Sequence, residues 1–185
     1  MNWPALFDGI LAVVALGFAC ISSRNMPALR MACLILGSAA VLGTLRFSDL
    51  LPLPALHQFV SMLGAAVGLP LLAIAVVQPG SAVATQRRYT WIFAVVAAVV
   101  CTVLVMVVQF KAWAALCALL SALAIVVGGL ARRRGLTTAA GLLILLALGA
   151  FAGKVSFAVF QPGDFLHIGL SLGLLVLARS VESIR

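Results

Sequence analysis

The run PALHQFVSMLGAAVGLPLLAIAVV, from Pro54 to Val77, carries one ionisable side chain, His57, and is otherwise almost wholly apolar. A helix rises about 1.5 Å per residue, so about 20 apolar residues cross a hydrocarbon layer about 30 Å thick. This run is long enough to do so, and it is not alone. Six further apolar runs extend from Ala5 to Ile21, Ala28 to Leu45, Tyr89 to Val108, Ala112 to Leu130, Leu136 to Phe160 and Asp164 to Val181. Between them lie breaks rich in Pro, Gly, Arg and Gln, such as Gln78-Pro79-Gly80, Arg132-Arg133-Arg134-Gly135 and Gln161-Pro162-Gly163, which stop helices and suit a membrane interface. The pattern predicts an all-α fold, a polytopic transmembrane bundle of seven spans in a single domain over 1–185. A six-span count, with the first two runs forming a hairpin or interfacial pair, is the alternative.

The composition agrees. Of the 185 residues, 65% are apolar, and only 12 are basic and 4 acidic, whereas a soluble domain carries about a quarter of its residues as charges. A soluble enzyme, a nucleic-acid binder and a disordered chain are excluded, and membrane lipid is the expected partner. The net charge of +8 comes from short clusters between apolar runs, the pattern that orients a membrane protein. Arg24, Arg30, Arg87, Arg88, Arg132, Arg133, Arg134, Arg179 and Arg185 fall on one side; Arg46, Lys111 and Lys154 fall on the other. The excess places the N-terminus outside and the C-terminus in the cytoplasm, with a bacterial inner membrane as the expected location. Met1-Asn2-Trp3-Pro4 lacks the positive start of a signal peptide.

Cys20, Cys33, Cys101 and Cys117 lie within apolar runs without a Cys-x-x-Cys pair, and read as small hydrophobes rather than disulfides or ligands. Lipid tails are as apolar as leucine, so helices in a bilayer associate by close packing at small residues. Gly64-x-x-x-Gly68, Gly149-x-x-x-Gly153 and Gly169-x-x-x-Gly173 are the expected contacts. No internal repeat marks two transporter halves. Pro70 should loosen the third span near Ala66, where its missing N–H leaves a carbonyl unpaired.

Ionisable groups at membrane depth are costly and mark function. Here they gather on the outer side: Asp8, His57, Lys154, Asp164 and His167, with Ser61 one turn after His57 and Ser171 one turn after His167. Asp164, His167 and Ser171 share a face, as do His57 and Ser61. These seven form the candidate ligand pocket. His57, His167 and Asp164 could hold a zinc ion with an open position for water; alternatively Asp164 caps the last span while the histidines meet it or water. A bis-His haem between the third and seventh spans is a further arrangement the two histidines allow. Lys154, read as lying within the sixth span, would pair with Asp8 or Asp164, either as a structural pair or as the wall of a pocket.

Phe7-Asp8-Gly9-Ile10-Leu11 on the first span and Gly163-Asp164-Phe165-Leu166-His167-Ile168 at the start of the last resemble the seven-helix superfamily of alkaline ceramidases, progestin and adiponectin receptors and haemolysin III-like proteins. The similarity is greatest to a bacterial branch of that group. In the hydrolases the resemblance implies a zinc held by histidines, including His-x-x-x-His on the last span, and cleavage of a lipid amide. This chain has Ser171 where the second of those histidines would stand, no His in Gly43-Thr44-Leu45-Arg46, and His57 before Ser61 rather than after a serine.

The leading expectation is therefore a non-catalytic or degenerate membrane protein without a cofactor. Its outward-facing pocket would bind a lipid headgroup or small ligand, or dock a partner membrane subunit or a second copy. A zinc-dependent membrane amidase or lipid hydrolase, and a small transporter or transporter subunit, are the alternatives.

Overall fold

The computed structural model describes residues 2–21 and 26–182. It is helical, with no strand among the described residues, and seven helices are long and apolar enough to cross a membrane. They are α1 (Trp3–Ile21), α2 (Pro27–Phe47), α3 (Pro54–Val77), α4 (Arg87–Val107), α5 (Trp113–Ala131), α6 (Gly135–Ala152) and α7 (Pro162–Val181). The chain is an integral membrane protein with seven helices of spanning length among the described residues, and the first two runs form separate helices of 19 and 21 residues. Arg24 and Arg185 lie outside the described residues.

Proline opens α2, α3 and α7 at their first positions, where the N–H it lacks would be unpaired anyway. The ends are less usual. No glycine has a positive φ; Asp49, Arg133 and Lys154 take the left-handed conformation instead, at 58°, 55° and 52°. At each the chain closes with a Schellman pair of bonds, as where the Val155 N–H reaches the Ala150 carbonyl and the Lys154 N–H reaches that of Phe151. Glycine is used for close approach between helices.

The helices form a ring in which α1 packs on α2, α2 on α3, α3 on α5, α5 on α6, α6 on α7 and α7 on α1. α4 leans on the outside of this ring against α2 and α3 and is the least buried of the seven. Small residues set the seams. A β-carbon added to Gly169 would lie 2.3 Å from that of Ala147, one on Gly173 2.6 Å from Ile144, and one on Gly141 2.8 Å from the Val126 backbone nitrogen. Helix α6 is thus gripped on both sides. Gly64 and Gly68 approach Leu36 of α2 more loosely, and Gly149 meets nothing within 4 Å. Of the three expected glycine pairs, Gly149-x-x-x-Gly153 is therefore not a helix contact: Gly149 faces open space and Gly153 lies past the end of its helix.

Helix α3 widens into a π-turn over Gly64–Gly68, immediately before Pro70. The Leu69 N–H bonds to the Gly64 carbonyl, a longer loop that absorbs the bond Pro70 withholds from Ala66. The expected loosening near Ala66 takes this form, and it turns Gly64 and Ala65 toward the interior of the ring. All four cysteines are free. Cys33 and Cys101 are buried, but Cys20 is exposed rather than buried.

Candidate functional site

One end of the bundle gathers the start of α1, the end of α2, the start of α3 and the loop between α6 and α7. The Asn2 side-chain amide donates to the Phe47 carbonyl, and the rings of Trp3, Phe7, Phe160 and Phe165 form a continuous cluster with centroids 5.6 to 6.1 Å apart. Aromatic packing of this kind prefers tilted or offset rings at these spacings. It fixes the start of α7 against α1, so that Asp8, His167 and Asp164 face a common interior.

Within it lies a cavity of about 90 Å³, lined by Asp8, His57, Ser61 and His167 among apolar neighbours from α1, α2, α3, α6 and α7. Asp8 is 1% exposed. Its Oδ1 stands 3.3 Å from His167 Nδ1, within ion-pair range but out of line for a hydrogen bond, and neither carboxylate oxygen has a hydrogen-bonding partner. The Ser171 hydroxyl, one turn beyond His167, is also buried and unpartnered. Such groups normally find partners, because leaving each one unpaired costs about 1–3 kcal/mol. The carboxylate lies against the α2 backbone: a β-carbon at Gly43 would meet Asp8 Oδ2 at 2.3 Å. In this side-chain conformation of Asp8, a larger residue at position 43 would collide with it.

Asp164 is buried too, but its Oδ2 accepts from the Gln161 backbone N–H at 2.7 Å. It thus serves the first turn of α7, where a negative charge also meets the positive end of the helix dipole. His57 faces Arg46, whose Nη1 donates to Nδ1 across 3.2 Å. Arginine has no acceptor, so His57 Nδ1 is the accepting nitrogen and its ring proton is on Nε2. The Arg46 guanidinium also stands over the Phe47 ring, and Phe47 meets the His57 ring edge-on. Asp164 and Arg46 are both near enough to Asp8 for their charges to act on it.

Six of the seven residues singled out from the sequence are thus at this end around the cavity or on its α7 wall; Lys154 departs. The sixth span was expected to continue to Phe160 with Lys154 at depth. Instead α6 stops at Ala152, Lys154 is exposed, and no ion pair joins it to Asp8 or Asp164. The Gly149 and Gly153 glycines weaken the helix there, and the Schellman closure turns the chain out. Because a left-handed lysine is strained and a glycine is not, Lys154→Gly should raise thermal stability by about 0.5–1 kcal/mol and leave ligand binding unchanged. Denaturation in detergent together with binding would check both.

Among the described residues no three His, Cys, Asp or Glu side chains are placed to hold a metal: Asp164 is engaged by backbone, and His57 offers its Nδ1 to a guanidinium. The cavity is far too small for a porphyrin between His57 and His167. Two contributors escaped the sequence reading. Arg46 had a signal, since it is a basic residue on the side where such residues are scarce. Gly43 had none, because only the neighbouring helix reveals what its missing side chain admits.

No protein-family model, curated protein or solved structure matches this chain.

Proposed function

We propose that this is a non-catalytic membrane binding protein whose cavity at the Asp8 end takes a small cationic or hydrogen-bond-donating ligand, such as a simple amine or the ammonium tip of a lipid headgroup. The observation that carries this is the buried Asp8 carboxylate with both oxygens unpartnered. In a low-dielectric interior such a group attracts a donor strongly. The cavity volume of about 90 Å³ limits that donor to a few non-hydrogen atoms. With Asp8 on the cavity wall and Asp164 buried nearby, against the single guanidinium of Arg46, a cation is favoured over an anion. On this reading the chain would be a degenerate relative of the ceramidase and adiponectin-receptor superfamily, retaining a pocket without hydrolytic chemistry.

The test is thermal unfolding in nanodiscs with ammonium, methylammonium, ethanolamine and tetramethylammonium. Saturable stabilisation of the wild type by one of the smaller ions, lost in Asp8→Asn, is expected. Equal responses of the two proteins to every ion would overturn the reading.

The orientation belongs to the same proposal: with the arginine-rich end in the cytoplasm, the pocket opens outward. A periplasmic-type reporter fused at the N-terminus should be active and one fused at the C-terminus silent in a bacterial inner membrane; the reverse pattern would place the pocket inside.

A further inference from the structure

At the other end of the bundle, Pro27 and Arg30 of α2 and Thr85, Arg87 and Trp91 around the start of α4 enclose an open recess of about 600 Å³. It shares Met31, Leu34 and Trp91 with an apolar trough of about 430 Å³ that runs between α2, α3 and α4 and is floored by Ile35, Leu63 and Val67. Both Arg30 and Arg87 are exposed. The helices α2 and α4 both begin at this recess, and neither N-cap residue, Met26 or Gln86, makes a side-chain capping bond. Two guanidinium groups and two positive helix ends therefore surround one recess, and the surface leading from it is almost purely apolar. The trough exists because α4 stands outside the ring, touching α2 and α3 only lightly.

We propose that this groove is a binding site for an anionic phospholipid, with its phosphate between Arg30 and Arg87 and an acyl chain in the trough beside Trp91. A soluble anion would satisfy the recess but leave the trough bare, and a zwitterionic lipid would fill the trough but return less to the two arginines. Trp91 is at the junction of the polar and apolar parts, the level that tryptophan favours at a membrane interface. The site is separate from the Asp8 cavity and stands or falls independently of it.

Native mass spectrometry of the full chain, after reconstitution with equal amounts of phosphatidylglycerol and phosphatidylcholine, tests the proposal. The wild type should retain phosphatidylglycerol preferentially. Each arginine near a membrane surface adds about fivefold to anionic-lipid affinity, so Arg30→Gln with Arg87→Gln should abolish the preference. Arg132→Gln with Arg133→Gln, which removes equal charge elsewhere, should keep it. Leu34→Trp, which fills the trough without changing charge, should lower retention of both lipids. The proposal is overturned if the two double variants behave alike, if Leu34→Trp has no effect, or if soluble glycerol phosphate displaces the lipid at equal concentration. Efficient disulfide-linked dimers of a Leu34→Cys variant in membranes would also overturn it, by assigning the trough to a second copy.

Discussion

Replacing Gly169 with alanine is expected to destabilise the bundle by about 1–3 kcal/mol, the usual cost of overpacking a well-filled interior. The added methyl would lie 2.3 Å from the Ala147 β-carbon and 3.1 Å from the Leu143 carbonyl oxygen. Neither neighbour is the free end of a flexible side chain, so relief requires α6 and α7 to separate. That movement is resisted from the far side, where Gly141 also brings α6 close to α5, a β-carbon there lying 2.8 Å from the Val126 nitrogen. Ala147→Gly removes the opposing methyl, and the pair of substitutions together should recover most of the loss; a double-mutant cycle measures this directly. Thermal unfolding followed by a thiol-reactive dye in a Cys20→Ser, Cys117→Ser background is suited to the protein, because Cys33 and Cys101 are buried until it opens. Gly149→Ala on the same α6 is the control, since nothing lies within 4 Å of the added atom. A cycle without coupling between positions 169 and 147 would mean that the α6–α7 seam does not run through these residues.

Asp8→Asn should move stability in the opposite direction. The substitution keeps the shape that fits over Gly43 but removes a buried charge whose oxygens have no hydrogen-bonding partner. It also supplies an amide that can engage His167. A gain of about 1–3 kcal/mol is expected, the scale of one buried unsatisfied group, together with loss of amine binding. A gain in stability paired with a loss of ligand is the mark of a group kept for function at the expense of the fold. If Asp8→Asn instead unfolded more readily than the wild type, Asp8 would be a structural partner of His167, and the proposed ligand site would lose its centre.

Gly43 shows why much of this site was hidden in the sequence. Asp8, His57, Asp164 and His167 were visible because charged or polar groups in apolar runs stand out by composition alone. The capping role of Asp164 was legible from its place at the start of the last run, but the partner of His57 and the lack of one for Asp8 were not. It is the backbone N–H of Gln161 that engages Asp164, and the guanidinium of Arg46 that engages His57. What remain without a hydrogen bond are the Asp8 carboxylate and, on the neighbouring helix, His167 Nδ1. Lys154 misled because a hydrophobic run continues past it to Phe160, and hydropathy does not distinguish an apolar helix from an apolar loop. The hydrogen bonds that close α6 two residues earlier are local, but their competition with further helix was decided by weak propensity at Gly149 and Gly153.

By itself the sequence determined that the chain is a seven-helix membrane protein and which end of the bundle carries the arginines. Length and apolarity decide the first, because a bilayer tolerates only segments that satisfy their own backbone bonds; charge distribution decides the second. Tertiary structure alone decided that six helices close a ring and that α4 leans outside it, opening the trough. It also decided that Asp8 is the acid left without a donor. These outcomes depend on distances between side chains far apart in the chain, and hydropathy carries no record of which small residue faces which neighbour.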